Sequence, residues 1–203
     1  MTIEEYKKKK EELLYKLSNG LVKSENDCIK PEWCSVCKGG CCKSFPCTFS
    51  PEDFIDITNI NYMKNLLETG VIVIAPLNIM HDLYCIRVKG EKDLDSVVTG
   101  YTQKLNSCLL YTEKGCMLEY VFRPSEGLLL VPGSESVYEM CDKLYDIEDL
   151  KKDWSHYQTY LKRLMKECKN MIISSEDISQ KQVDCYKKLF LNPNVNKNKK
   201  GAK

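Results

Sequence analysis

Apolar positions follow two rhythms along the chain. Near the start Ile3, Tyr6, Leu13, Leu14 and Leu17 fall on one helical face, and Asn19-Gly20 is a stop signal, which predicts a helix over 2–18. Ser50-Pro51-Glu52-Asp53 reads as the opening of another helix. Ser50 is placed to cap it, Pro51 suits its first turn, the two acids oppose the helix dipole, and Phe54, Ile55 and Ile57 are expected to face inward. A further helical piece over about 61–69 ends at Gly70. The rhythm then shortens. Residues 71–77 (Val-Ile-Val-Ile-Ala-Pro-Leu) and 83–89 (Leu-Tyr-Cys-Ile-Arg-Val-Lys) predict two strands, with His81-Asp82 in the turn between them. In the second strand Tyr84, Ile86 and Val88 alternate with Cys85 and Arg87. The polar stretch 90–107 reads as a loop.

From Val137 the helical spacing returns. A helical piece is expected over 137–146. Over 149–171 the residues Leu150, Trp154, Tyr157, Leu161, Leu164, Cys168 and Met171 form a stripe that reads as core first and partner surface second. His156 lies beside that stripe as a structural residue. A last helix is predicted over 175–191, with Ser175 as cap and Glu176 and Asp177 in its first turn. The tail from Asn192 is polar and basic, and is expected to be disordered. The fold class expected is α+β: a mostly helical single domain with a short antiparallel sheet and a cysteine-rich metal-binding loop. It divides into an N-terminal helix (1–20), a cysteine-cluster core (21–135), C-terminal helices packing on it (136–191) and the tail (192–203).

What changes this picture is cysteine. Residues 28–47 hold six of the chain's twelve cysteines, in a run whose centre reads Cys34-Ser-Val-Cys37-Lys-Gly-Gly-Cys41-Cys42. The CxxC spacing lets two thiolates converge on one ion, and Gly39-Gly40 allows a tight turn between the pairs. Thiolates favour zinc, copper(I) or iron–sulfur clusters. Trp33, just before Cys34, suits a shield against water. A disulfide framework is the main alternative. It belongs to secreted chains below about 100 residues, whereas this chain has 203. Isolated Cys85, Cys168 and Cys185 suit a plainer role as small buried hydrophobes.

A second informative stretch is 108–132, where Cys108 and Cys116 flank a Glu-Lys-Gly turn and Arg123-Pro124-Ser-Glu-Gly127 follows. On spacing alone this pair reads equally as distant ligands of the nest or as two buried hairpin cysteines. Arg123 reads as a loop anchor or as a holder of an anionic group. Glu52 and Asp53 read as helix-start acids rather than catalytic carboxylates. His81 reads as a turn residue, with a ligand or base as the sharper alternative.

Net charge is +1, from 30 basic and 29 acidic residues, so nothing in the balance points to nucleic acid or a membrane surface. The run Lys7–Lys10 is a solvated helix face or a site for an acidic partner. No apolar run approaches the roughly 20 residues of a membrane span. Met1-Thr-Ile-Glu-Glu-Tyr is charged where a signal peptide has an apolar core. The expected compartment is the cytoplasm, where thiols stay reduced and clustered cysteines more often hold metal.

With both stretches in view, the chain resembles the zinc- or iron-chelating cysteine-cluster proteins, the YkgJ-like family. The resemblance rests on the CxxCxxxCC run, on Ser50-Pro51-Glu52-Asp53 and on Cys108…Gly115-Cys116…Arg123-Pro124, and covers about 28–132. It implies Cys34, Cys37, Cys41, Cys42, Cys108 and Cys116 as ligands. Many members of that family carry another cysteine shortly after the Arg-Pro pair; here Cys28, Cys47 or Cys141 would have to substitute. The cluster also looks similar to that of flagellin lysine N-methylases, which implies protein or peptide modification as an alternative activity. A zinc-stapled interaction module is the third reading. Six or more cysteines exceed one tetrahedral zinc, which takes four. That places an iron–sulfur cluster ahead of zinc as the expected cofactor.

Overall fold

A computed structural model describes Lys8, Glu12 and residues 40–78, 82–93, 96–100, 106–112, 115–128, 130–132, 141–143, 147–173 and 177–192. Cys28, Trp33, Cys34, Cys37, His81 and the tail beyond Asn192 lie outside the described residues. So does the predicted helix over 2–18, apart from Lys8 and Glu12, which are helical.

The described elements run α1 (Gly40–Ser44), α2 (Ile60–Glu68), β1 (Ile72–Asn78), β2 (Leu83–Val88), β3 (Tyr111–Thr112), β4 (Gly115–Cys116), α3 (Ser125–Leu128), β5 (Leu130–Pro132), β6 (Cys141–Lys143), α4 (Ile147–Ser155), α5 (Gln158–Cys168) and α6 (Gln180–Phe190). The strands pair as three antiparallel hairpins, β1 with β2, β3 with β4 and β5 with β6. The fold is α+β. No described helix is long and apolar enough to cross a membrane.

The β1–β2 hairpin is the centre. Helix α2 packs on β1, and α4 and α5 pack on β2. Asn59 caps α2 by accepting the Tyr62 N–H, and Tyr62, Met63, Leu66 and Leu67 turn one face to the core. Gly70 ends the helix at φ +74, a conformation that glycine adopts without a Cβ penalty. In β2 Cys85, Ile86, Arg87 and Val88 are all buried, so the expected alternation does not separate a wet face from a dry one. The segment 47–49 supplies the reason. It lies alongside β2, with the Phe49 N–H donating to the Ile86 carbonyl and the Val88 N–H to that of Cys47.

Aromatic rings lock this segment to the last helix. Phe54 lies 5.1 Å from Phe49 and 5.8 Å from Phe190, and Phe190 lies 5.6 Å from Phe122. Trp154 is fully buried, and its indole Nε1–H donates to the Phe49 carbonyl at 2.8 Å.

Several sequence expectations are corrected. Ser50-Pro51-Glu52-Asp53 opens no α-helix; Pro51–Asp53 is a single 3-10 turn, and Phe54 returns to extended backbone. Phe54 and Ile57 face inward, but Ile55 faces solvent. Within 137–146, residues Cys141–Lys143 form strand β6, paired with β5. The stripe over 149–171 is shared by two helices broken at His156 and Tyr157, and His156 is exposed there. The Gln158 side chain bridges the break. It donates to the Trp154 and Tyr84 carbonyls and accepts the Tyr84 N–H, so it serves the end of α4 and the edge of β2 at once. The last helix starts at Gln180 with Ser179 as its cap, not Ser175. Ser179 has Gln182 three residues on, as a capping box requires; Ser175 has Ile178 there.

Candidate metal centre

Helix α1 carries Cys41 and Cys42 at the end of the nest, and its carbonyl end meets the second cysteine stretch directly. The Cys108 N–H donates to the Cys42 carbonyl at 2.8 Å. Lys43, the next residue, lies over the Tyr111 ring at 5.3 Å from its centre. Two segments far apart in sequence are thereby docked at the two residues that carry thiols.

Cys108 is held from below as well. It pairs with Gly90, and the Leu109 N–H donates to the Lys89 carbonyl and the Glu91 N–H to that of Ser107. A buried ionic cluster fixes this loop. Asp93 pairs through both carboxylate oxygens with the Arg87 guanidinium, and also accepts from the Gly90 N–H at 2.8 Å and the Asn106 side chain at 3.4 Å. The loop over 90–107 therefore contains fully buried polar groups that its composition did not mark as structural.

Cys116 lies in the β3–β4 hairpin opposite Tyr111, after Gly115 at φ +106. Its sulfur accepts the Leu118 N–H at 3.4 Å. Such N–H···S bonds stabilise thiolate ligands and tune the centres they hold. Arg123 donates from Nε to the Leu118 carbonyl at 2.7 Å, which ties down the hairpin exit and favours the anchoring role for this residue.

Acidic residues join the hairpin exit to the nest exit. Asp53 Oδ2 accepts the N–H groups of Ser50 and Ser125 at 3.0 and 2.8 Å, and Oδ1 accepts the Ser125 hydroxyl. Glu126 accepts the Thr48 N–H at 2.6 Å and returns its own N–H to the Thr48 carbonyl. Asp53 and Glu126 are both buried. These carboxylates are struts, and sequence reasoning missed Glu126, Asp93 and Arg87. The one available signal was the oddity of Arg87 inside an apolar strand.

Gly127 leaves no room for a side chain, because a Cβ there would come 2.9 Å from the Cys47 sulfur. Cys47 is buried against this glycine, and Cys141 is in β6. Cys34, Cys37 and the side chain of Cys41 lie outside the described residues. Among the described residues no three His, Cys, Asp or Glu side chains gather as ion ligands. Of the six expected ligands, Cys42, Cys108 and Cys116 have described side chains, and these three do not form an ion-holding group.

Cys85 and Cys168 are buried within the hydrophobic core, as the small-hydrophobe reading expects. Burial raises the Cys85 thiol from its ordinary 9.0 to about 12 and that of Cys168 to about 11. Cys185 is exposed on α6, so the buried-hydrophobe reading fails for it. The raised values have a consequence in alkali. The folded state keeps these protons where the unfolded chain loses them, so their contribution is complete below about pH 9 and is lost as pH rises towards 12. Urea unfolding across this range is expected to show stability falling from about pH 9 upward. The fall should be shallower in Cys85→Ala by on the order of 4 kcal/mol at pH 12. Equal slopes in the two proteins would contradict the assignment.

No protein-family model matches the sequence, and neither a curated protein nor a solved structure matches it.

Proposed function

We propose that the chain is a cytoplasmic metal- or iron–sulfur-binding protein whose thiolate ligands come from Cys34, Cys37, Cys41, Cys42, Cys108 and Cys116. The observation that supports this reading is the hydrogen bond from the Cys108 N–H to the Cys42 carbonyl. It brings the end of the CxxCxxxCC run to a cysteine that spacing alone left open. The N–H···S bond to Cys116 adds a donor set up as a thiolate acceptor. An all-sulfur donor set suits soft or borderline ions: zinc, copper(I), or iron in a sulfide cluster. With six candidate thiolates, an iron–sulfur centre or a pair of ions fits better than one zinc. Its role in this reading is to hold the metal, and the chain's own residues supply the soft donors, the N–H···S bond and the struts that position them.

Anaerobic purification followed by elemental analysis and a visible absorption spectrum tests this. The expected result is stoichiometric metal, with brown colour if the centre is iron–sulfur. Cys42→Ser and Cys108→Ser should each weaken metal retention against a competing chelator by at least about tenfold, since even residues that only support ligands cost that much. Cys185→Ser should leave it unchanged. Reduced, metal-free wild-type protein that takes up neither zinc nor iron would overturn the reading.

A further inference from the structure

We propose that Cys42 and Cys108 close into a reversible disulfide that takes both sulfurs out of the metal-binding set. The pairing stands on the backbone contact alone; its effect on metal rests on the function proposed above.

The contact sets a strict limit on distance. Within Cys42 the Cα and carbonyl oxygen are about 2.4 Å apart, and within Cys108 the N–Cα bond is about 1.46 Å. With 2.8 Å between that oxygen and that nitrogen, the two Cα atoms lie no more than about 6.7 Å apart. Disulfides span roughly 4.4–6.8 Å between Cα atoms, so the two Cα atoms lie within a disulfide's reach. Both residues are thiols in this structure. They differ in access, because Cys42 is partly exposed while Cys108 is 9% exposed. Cys42 is therefore the sulfur that meets a reagent from solution, and Cys108 is the one that resolves the adduct.

The oxidant is a low-molecular-weight disulfide such as oxidised glutathione. The Cys42 thiol gives up its proton and attacks one glutathione sulfur. The glutathione S–S bond breaks, and one glutathione leaves and takes up that proton. Cys108 then loses its proton and attacks the Cys42 sulfur of the mixed disulfide, and the second glutathione leaves as a thiol. Two protein thiols are oxidised by two electrons in all, and one small disulfide is reduced to two thiols. Excess reduced glutathione drives the same steps backwards.

The test uses the full chain, reduced and handled anaerobically, then exposed to oxidised glutathione and digested with trypsin without reductant. The expected product joins the peptide 39–43, bonded at Cys42 rather than Cys41 on fragmentation, to the peptide 105–114. Cys108→Ser should stop at one glutathione on Cys42. A dominant cross-link from Cys42 to Cys34, Cys37, Cys41 or Cys116 would overturn the pairing. So would a wild-type Cys42 that keeps its glutathione; these two readouts need no variant. A parallel sample loaded with zinc should cross-link at least tenfold more slowly. An unchanged rate there would overturn the link to metal while leaving the pairing in place. A missing cross-link in protein that still binds zinc would overturn the pairing and spare the metal reading.

Discussion

Replacing Asp53 with alanine is expected to lower the free energy of unfolding by about 3–5 kcal/mol. The carboxylate is buried and accepts three hydrogen bonds, from the Ser50 N–H, the Ser125 N–H and the Ser125 hydroxyl. Alanine leaves all three donors without that acceptor in a place water does not reach, and each such donor costs about 1–3 kcal/mol. For a chain of this size the thermal midpoint should fall by roughly 10 °C. Glu52→Ala, at the exposed neighbouring position, should cost less than about 1 kcal/mol. The loss should also reach the thiols. Ser125 follows the hairpin that carries Cys116, and Asp53 follows the nest, so the variant removes one tie between the two stretches and leaves the Thr48–Glu126 bonds. Urea unfolding decides the first point and metal retention the second. A stability within 1 kcal/mol of wild type would show that the strut carries little.

Asp93→Ala is expected to cost a similar amount, about 3–5 kcal/mol, for a different reason. It leaves the Arg87 guanidinium buried, with neither side chain of the pair exposed in the parent. The decisive comparison is the double variant Arg87→Met with Asp93→Leu. Removing both charges avoids an unpaired one, so the double variant should be less destabilised than Asp93→Ala. An additive result would mean that the two charges do not stabilise one another. Asp93 also accepts the Gly90 N–H, and Gly90 pairs with Cys108. In Asp93→Ala the Cys108 amide should therefore exchange its hydrogen faster, in step with looser docking on Cys42.

The elements that could be read from sequence are those set by local rhythm. Val71 to Leu77 and Leu83 to Lys89 marked the central hairpin, the spacing from Leu150 to Cys168 marked the helical stretch on it though not its division in two, and Gly70 marked the end of α2. What escaped is what depends on partners distant in the chain. Cys141-Asp142-Lys143 has no strand pattern of its own and is a strand because β5 lies beside it. The break at His156 is bridged by the Gln158 side chain, which reaches back to the Trp154 carbonyl and across to β2. Asp53 looked like a helix-start acid because its local setting, after Ser50-Pro51, is that of a helix start. Its bond to Ser125 has no local trace. In the candidate centre, the cysteine run was plain from spacing, whereas the meeting of Cys42 with Cys108 is a tertiary contact that no spacing rule contains.

That meeting has an effect during synthesis. Cys42 and Cys108 are 66 positions apart, and at about 5–20 residues per second a growing chain takes roughly 3–13 seconds to travel between them. For that interval the early cysteines exist while their counterparts do not, and neither strut has its far end. Until the second stretch has emerged, the contact that docks Cys42 against Cys108 cannot form, and nothing from that side of the fold holds the early sulfur in place.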